Sequence, residues 1–348
     1  MRSGHFQETY GQAVALSDNR TVWLWTAILA LVLLAFPMAF SNYVVSFAVK
    51  IIIAAVGVIG LNMLTGTTGL ISLGYSGFLA VGAYTNAILL VDYKWPLILT
   101  IPMAGLVSAA VSLLVGVPSL RLKGLYLAIT TMAFAFIVNH FILYAEDLTH
   151  GPNGVMVPKV EFFGWPISGD VNLYYFSLGV GALMTFGALN ILRTRIGRAW
   201  MAIRDHDIAA NVMGVNLVRY KLLAFVVSSF YIGVAGALLS LQIRFINIDV
   251  FGLLLSIEAL AMIILGGLGS VPGAIFGAAF LILLPEAIRS IFALAGGESS
   301  ALFSKYVYEI RGVAYGFVIV LMLRYEPHGL MGKWRDIKRY WVNWPLSY

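Results

Sequence analysis

Seven apolar runs follow one another between residues 21 and 241. A helix that spans the hydrocarbon core of a bilayer needs about 20 mostly apolar residues, and each run is long enough. The pattern predicts transmembrane helices at 21–40, 43–64, 69–90, 96–115, 125–144, 173–192 and 222–241. A further apolar stretch and a last run follow at 253–288 and 312–323. We therefore expect an all-α, polytopic transmembrane helical bundle of about 8 spans.

The composition agrees with a membrane protein and excludes several kinds of site. Of the 348 residues, 60% are hydrophobic and only 11% are charged, whereas a soluble domain carries about 25% charged residues. The chain has no cysteine, which excludes disulfides, thiolate metal sites and a cysteine nucleophile. The first apolar run is longer than the core of a secretory signal, so we expect it to be a retained helix.

The charges of the segments between the runs predict the orientation, because cytoplasmic loops are enriched in lysine and arginine. Segment 193–221 carries six basic and two acidic residues, a net charge of +4. The end of the chain, 324–348, carries five basic and two acidic residues, a net charge of +3. Segment 146–171 carries one basic and four acidic residues, a net charge of −3. We place the first two segments inside and the third outside, which also puts Arg121 and Lys123 inside.

This orientation divides the chain into three parts. Residues 1–20 are expected to form a cytoplasmic N-terminal tail, 21–323 a single transmembrane domain, and 324–348 a cytoplasmic C-terminal tail. Both termini then lie in the cytoplasm of a multi-pass membrane protein.

The stretch 253–288 is interrupted by the glycine-rich segment 266–273. Seven spans leave residue 250 outside, so the stretch must enter the membrane and return to the outer side before the last span. Each arm has about 13–15 residues, which is short for a full crossing of about 20 residues. A broken, re-entrant helix pair and a tight turn between two ordinary helices are both open interpretations. With the pair included, 8–10 helices are expected in total.

Two glycine-rich stretches have similar spacing. Gly66, Gly69 and Gly74 in the first are echoed by Gly266, Gly269 and Gly273 in the second. Paired glycine-interrupted helices in two halves of a transporter can mark its binding region, so these six residues are candidates for the translocation pathway. Close packing of helices through small residues is the alternative explanation.

Segment 193–221 is amphipathic although it lies outside the predicted spans. Helical periodicity over 198–212 places Trp200, Ile203 and Ile208 among charged residues, and Gly214 suits the end of a helix. A partner protein could bind such a helix. Anionic lipid could equally hold it at the membrane surface.

Motifs of catalysis and nucleotide binding are missing from the sequence. No GxxxxGK[ST] loop is present to cradle phosphates. There is no HExxH motif, and His140 is the only histidine inside a predicted span, beside Asn139. No nucleophile converges with a base in sequence. We therefore predict no catalytic residue, no metal site, no cofactor and no nucleic-acid partner, and any ATP that drives transport must bind another polypeptide.

Several long blocks resemble the LivM-type permease family of branched-chain amino acid ABC importers. They occur in the family's order and cover about residues 44–332. The blocks are GLNMLTGTTGLISLGYSGFLAVGAY (60–84), GLYLAITTMAF (124–134), LTHGPNGV (148–155), GRAWMAIRDHDIAANVMGVNLVRYKLLAF (197–225), SIEALAMIILGGLGSVPGAIFGAAFLILLPE (256–286) and RYEPHGLMG (324–332).

Within the fourth block, Ala209-Ala210 followed by Gly214 is similar to the Ala-Ala-xxx-Gly core of the loop that contacts the ATPase in bacterial import permeases. Ile208 stands where that loop carries an acidic residue, and Asp207 precedes it. The resemblance implies that 193–221 is a cytoplasmic coupling segment. Its candidate ATPase-contact residues are Arg198, Arg204, Asp207, Ala209, Ala210 and Gly214.

The resemblance also implies the function and the partners. The chain would be the permease subunit of an importer for leucine, isoleucine and valine in the bacterial inner membrane. A periplasmic binding protein would deliver the solute, a second homologous permease would complete the channel, two ABC ATPase subunits would drive it, and membrane lipid would surround it. The chain itself would not be an enzyme.

Other readings remain open. Related permeases import urea or short amides, so the solute could differ. An ion-coupled secondary transporter usually contains buried acids or a proton relay, and here Glu258 and Glu286 both lie near the presumed outer ends of spans. An intramembrane enzyme would need a nucleophile with a base, or metal ligands, and the sequence offers neither arrangement.

Overall fold

A computed structural model describes residues 20–119, 122, 124–162, 165–167, 169–294, 313, 316–317, 320–321, 324 and 329–343. Most of these residues are helical, which confirms the all-α bundle. The helices are α1 (Arg20–Ala39), α2 (Asn42–Leu61), α3 (Tyr75–Val91), α4 (Leu97–Ser119), α5 (Leu125–Tyr144), α6 (Glu146–Thr149), α7 (Asp170–Arg193), α8 (Arg195–Asp205), α9 (Asp207–Val212), α10 (Leu217–Ile243), α11 (Leu253–Gly266), α12 (Val271–Leu294) and α13 (Gly329–Asn343).

Short elements complete the described part of the chain. A π-helical turn, Asn62–Thr67, continues α2, and 3-10 turns occupy Gly151–Asn153 and Ile248–Phe251. Two-residue strands β1 (Val155–Met156) and β4 (Phe245–Ile246) pair antiparallel, as do β2 (Glu161–Phe162) and β3 (Trp165–Pro166).

Five helices in the described residues are long and apolar enough to cross a membrane. They are Asn42–Thr67, Leu97–Ser119, Leu125–Tyr144, Asp170–Arg193 and Leu217–Ile243. Four shorter apolar helices accompany them, at Leu24–Ala39, Tyr75–Val91, Leu253–Gly266 and Val271–Ala287. The last predicted span, 312–323, falls mostly outside the described residues, as do Arg121, Lys123 and residues 1–19.

The predicted span 69–90 begins too early, because α3 starts at Tyr75. Side chains from other helices bind the backbone at this start. The amide of Leu73, before the helix, donates to Thr131 Oγ1 of α5 at 2.9 Å, and the amide of Ser76, in the first turn of α3, donates to Ser256 Oγ of α11 at 2.9 Å. These bonds compensate for the missing helical ones, so an apolar composition alone could not locate the start of the helix.

Helix α10 lies at the centre of the bundle and packs against α2, α3 and α4. Small residues permit these close approaches. A Cβ atom on Gly233 would lie 2.6 Å from Ser108 Cβ of α4, and one on Gly82 of α3 would lie 2.5 Å from Gly233 Cα. Membrane helices associate through such small-residue contacts, because lipid tails provide no hydrophobic force between helices.

The bundle has two different ends, which we name by charge. The acidic end contains the connections 145–169 and 244–252, joined by the β1–β4 pair, and His150 Nε2 lies 3.5 Å from Asp92 Oδ1 there. The basic end contains the segment 194–216 and the residues that touch it. Helices α2, α7 and α11 run from the acidic end to the basic end, whereas α3, α10 and α12 run back.

Helices α11 and α12 form a hairpin whose turn, 267–270, lies at the basic end. Helix α12 has 24 residues, so at 1.5 Å per residue it is about 36 Å long. Helix α12 is therefore longer than the expected arm of 13–15 residues, whereas α11, with 14 residues, has the expected length. The apolar parts of both helices are shorter than a full span, so the re-entrant pair and the tight turn both stay predictions. Backbone contact requires the glycines, since a Cβ on Gly273 would lie 2.6 Å from the carbonyl oxygen of Gly266.

Candidate functional site

The basic segment forms two helices instead of the single helix predicted over 198–212. His206 adopts an extended conformation, with φ −160° and ψ 102°, and separates α8 from α9. Thr194 caps α8 by accepting a hydrogen bond from the amide of Ile196 at 3.2 Å. Gly214 follows the end of α9 with a φ of +88°, a conformation that glycine adopts without strain. The predicted helix stop at Gly214 is thus confirmed.

Helix α8 is anchored to the bundle by one face. Trp200 is fully buried, and its indole Nε1 donates to the carbonyl oxygen of Tyr220 in α10 at 2.9 Å. Ala199 and Ile203 are buried on the same face. Helix α8 is therefore attached to α10 as well as to α7.

Helix α9 presents an apolar face to the outside. Ile208, Val212 and Met213 are 66%, 81% and 84% exposed. Ile208 therefore does not share the buried face of Trp200 and Ile203, since the extended residue His206 separates α9 from α8. Ala210 is buried at 6% exposure, so its methyl group packs inside this chain and is not offered to a partner. Ala209 and Gly214 are exposed.

The glycine-rich stretches and the basic segment, which are far apart in sequence, meet at the basic end. Arg204 Nη1 of α8 donates to the carbonyl oxygen of Gly66 in the π-helical turn of α2. Asn62, which is 2% exposed, accepts from the amide of Gly269 at 2.9 Å and donates to the carbonyl oxygen of Ser270 at 2.8 Å. We call these five residues, Asn62, Gly66, Arg204, Gly269 and Ser270, the junction.

The junction follows from the chemistry of a helix end. The last carbonyl groups of a helix have no partner within it, and the negative end of the helix dipole attracts a cation. Arg204 supplies both a donor and a positive charge to the end of α2. Two threonines bind the preceding turn, with Thr67 Oγ1 and Thr68 Oγ1 donating to the carbonyl oxygen of Met63 at 2.5 and 3.0 Å. π-helical turns are rare in proteins, and those that occur are often found at functional sites.

Steric space at the junction explains two of the glycines. A Cβ on Gly66 would overlap Asn62 Oδ1 and the amide nitrogen of Gly269. Gly269 has a φ of +81°, and a Cβ there would lie 2.8 Å from Arg204 Nη1. Gly69 has a φ of +77°, and a Cβ there would lie 3.5 Å from Arg204 Cα.

The remaining predicted residues lie apart from the junction. Gly74 packs on Thr131 of α5, and Gly266 packs on Gly273 within the α11–α12 hairpin. Arg198 Nη1 donates to the carbonyl oxygen of its own neighbour Arg193 at 3.0 Å. Asp207 Oδ2 lies 3.9 Å from Lys221 Nζ of α10. A cleft of about 340 Å³ beside the junction is lined by Thr68, Gly69, Leu70, Gly124, Ile203, Arg204, Asp205, His206, Asp207 and Lys221.

A second and larger cleft, of about 540 Å³, lies toward the acidic end. One stripe from each of five helices lines it. The lining residues are Tyr43, Phe47, Lys50, Ile53 and Ala54 of α2; Tyr75 and Leu79 of α3; Leu239 and Gln242 of α10; Leu255, Glu258 and Met262 of α11; and Ile282, Pro285, Glu286 and Arg289 of α12. We call it the charged cleft.

Sequence patterns did not single out two charged residues of the charged cleft, Lys50 and Arg289. Lys50 is the only charged residue of α2 and its π-helical turn, Asn42–Thr67. A charged side chain inside an apolar helix is a functional candidate by default. That signal was present in the sequence, whereas the residues of other helices that share the cleft with Lys50 could not be read from it.

These features define a class of protein. A bundle of apolar helices that carries a charged cleft at one end, and an exposed helix pair tied to a helix break at the other, has the organisation of a multi-pass membrane transport permease. The sequence model of the family described as "Branched-chain amino acid transport system / permease component" matches residues 43–323 of the chain. The chain belongs to this family.

Individual relatives agree with the assignment. The chain is 34% identical over 332 residues to the high-affinity branched-chain amino acid transport system permease protein LivM of Salmonella typhimurium strain LT2, covering 88% of this chain and 74% of that protein. LivM of Escherichia coli strain K12 is 34% identical over 340 residues, covering 90% and 76%. The permease protein BraD of Pseudomonas aeruginosa is 25% identical over 291 residues, covering 79% and 90%. No solved structure matches the chain.

Proposed function

We propose that this chain forms half of the translocation pathway of an ABC importer for leucine, isoleucine and valine. A periplasmic binding protein delivers the solute, a second homologous permease supplies the other half, and two ABC ATPase subunits bind at the basic end. Family membership and the names of the relatives support this assignment. The chain performs no chemistry itself in this scheme, and ATP is hydrolysed by its partners.

The observation that carries the coupling mechanism is the hydrogen bond from Arg204 to Gly66. Helix α9 offers an exposed apolar face, Ile208, Val212 and Met213, to an ATPase. Helix α8 follows α9 with only His206 between them, and Arg204 near the end of α8 binds the break in α2. When the ATPases close and displace α9, the displacement reaches α2 and the α11–α12 turn through the junction. Those helices line the charged cleft, so the cleft changes its access to the two sides.

Substitution of the α9 face tests the ATPase contact. We expect Val212→Asp combined with Met213→Asp to leave membrane insertion intact and to abolish co-purification of the ATPase, because the substitution places charge on an apolar contact surface. Solute-stimulated ATP hydrolysis in the reconstituted complex should fall at least tenfold, which corresponds to about 1.4 kcal/mol. The measurements are pull-down of the ATPase subunits and hydrolysis with leucine-loaded binding protein.

The matched control is Val218→Asp on the neighbouring helix α10. Val218 is also an exposed apolar residue of the basic end, at 53% exposure, and it lies beside Arg219. Normal ATPase binding in the α9 variant would refute the contact, and the C-terminal segment 324–339 would become the next candidate. Ala210→Trp is a poor test, since Ala210 is buried and the variant would disturb the packing of this chain.

The orientation with the basic end in the cytoplasm has a separate test. The chain has no cysteine, so single cysteines report without background. We expect Asn153→Cys at the acidic end to react with an impermeant thiol reagent in intact cells and Asn211→Cys on α9 to react only after permeabilisation. Both residues are exposed. The opposite labelling pattern would reverse the proposed topology.

A further inference from the structure

The charged cleft is built to hold a molecule that carries both charges and an apolar body. Lys50 contributes a cation from α2 and Glu258 an anion from α11. Lys50 is the ninth residue of α2 and Glu258 the sixth residue of α11, and both line the same cleft.

Apolar residues form the deeper part of the cleft. Ile53 of α2, Leu79 of α3 and Met262 of α11 are buried at 4%, 3% and 7% exposure, and they line the same volume. Along α2 and α11 they follow Lys50 and Glu258 in the direction of the basic end. The cleft therefore combines four charged lining residues, Lys50, Glu258, Glu286 and Arg289, with an apolar deeper part, and its volume of about 540 Å³ falls within the roughly 300–1,000 Å³ of small-molecule sites.

Contact between lipid and the open side of the cleft would be energetically unfavourable. Lys50 is exposed at the surface of this chain, and a charged side chain exposed at membrane depth is costly unless it faces a water-filled cavity or another subunit. Its Nζ lies 5.1 Å from the centre of the Phe47 ring, a cation–π contact that stabilises the charge only in part. Exposed apolar residues flank the opening: Val44, Leu254 and Ile257. A second subunit that packs on this rim would enclose the charges.

We propose that the charged cleft, closed on its open side by the second permease, is the solute chamber of the importer. Lys50 binds the α-carboxylate of the amino acid, Glu258 binds its α-ammonium group, and the apolar side chain rests on Ile53, Leu79 and Met262. A neutral amide or urea lacks the two charges that this arrangement matches. This assignment rests on the proposed import of branched-chain amino acids and adds the recognition site within this chain.

The junction closes the chamber at the basic end. Asn62 lies further along α2 than Lys50 and ties α2 to the α11–α12 turn. Solute would enter from the side of the binding protein.

Accessibility of the chamber to water is the first test. In the assembled complex, we expect Ala54→Cys in the cleft to react with an impermeant thiol reagent added at the acidic end. Ala110→Cys is the matched control, because Ala110 is exposed on α4 but does not line the cleft. Equal lack of reaction at both positions would overturn the proposal, since it would show that the cleft faces lipid or is sealed.

Charge removal is the second test, in proteoliposomes that contain the whole complex and the leucine-loaded binding protein. We expect Lys50→Met and Glu258→Gln each to reduce leucine uptake at least tenfold while hydrolysis stimulated by the binding protein persists. Lys50→Arg and Glu258→Asp keep the charges and should restore uptake to within about threefold. Lys94→Met is the control, because Lys94 lies in an exposed connection and does not line the cleft.

The outcomes separate this proposal from the proposed function. If the unsubstituted complex neither imports leucine nor hydrolyses ATP with its binding protein, the function itself is wrong. If that complex imports leucine but the Lys50 and Glu258 variants do so as well as their controls, only the chamber is wrong. If charge-keeping and charge-removing variants lose uptake alike, the residues serve the fold and the recognition role is refuted.

Discussion

The two ends of the bundle are held by different kinds of group. In the charged cleft, side chains carry the chemistry: Lys50 and Glu258 line an open volume. At the junction, backbone groups carry it, with the carbonyl oxygen of Gly66 and the amide of Gly269 bound by Arg204 and Asn62. Side-chain charges suit recognition of a charged solute, whereas backbone bonds suit the transmission of movement from one helix to another. The contrast is the basis on which we propose recognition at one end and coupling at the other.

The largest effect is expected at Gly66. Gly66→Ala should favour a helix by about 1 kcal/mol, but the new Cβ would overlap Asn62 Oδ1 and the amide of Gly269. Overpacking of a close contact costs about 1–3 kcal/mol, so the steric cost wins. Gly66→Leu should abolish leucine uptake altogether.

Uptake in proteoliposomes and thermal unfolding of the purified complex measure these effects. Gly179→Ala in α7 is the control, because a Cβ there meets no atom within 4 Å. Normal uptake with Gly66→Leu at normal membrane level would show that backbone contact at the junction is incidental, and the distinction between the two ends would be lost.

An intermediate effect is expected from Arg204. Arg204→Met removes the bond to Gly66 but keeps an apolar stem of similar length. A hydrogen bond from a charged donor contributes about 1.5–3 kcal/mol, so we expect the number of leucine molecules imported per ATP hydrolysed to fall about tenfold.

Arg198→Met on the same helix is the matched control, since Arg198 binds only the nearby carbonyl of Arg193 among the contacts described for it. The ratio of uptake to hydrolysis is measured for both variants. Equal ratios for the two would mean that Arg204 only stabilises α8, and that coupling follows the packing of Trp200 against α10 instead.

The smallest effect is expected at the rim of the charged cleft. Tyr43→Phe removes the hydrogen bond from the tyrosine hydroxyl to Glu286 Oε1, 2.9 Å long and exposed. Solvent weakens an exposed bond of this kind, and it lies above the proposed binding residues. We expect leucine uptake to change by less than threefold, with an unchanged maximal rate. A tenfold loss would move the recognition site outward to the rim.

The helices were largely predictable because each depends on its own composition. The predicted spans 43–64, 125–144 and 222–241 correspond to α2 with its π-helical turn, to α5 and to α10. The start of α3 was not predictable, since Thr131 and Ser256 of other helices bind the backbone just before it and in its first turn. The break at His206 was likewise not visible, because an apolar period continues across it.

The candidate site was predicted in pieces. Glycine spacing indicated Gly66 and Gly269, and charge indicated the segment that contains Arg204, but no pattern in the sequence placed them within one hydrogen-bonded cluster. Ala210, which was predicted to contact the ATPase, is buried in this chain, whereas its neighbour Ile208 is exposed. Burial of a small residue depends on what packs over it, and a single sequence does not contain that information.

The sequence by itself determined that this chain is a membrane protein. It also determined the distribution of the charged segments and the family that the chain resembles. Hydropathy and charge are properties of local composition, and the bilayer acts on them directly. The tertiary structure alone decided that Arg204 binds Gly66, that Asn62 ties α2 to the α11–α12 turn, and that Lys50 shares a cleft with Glu258. These pairs are separated by 138 to 208 residues along the chain, and only the packing of helices brings them within reach.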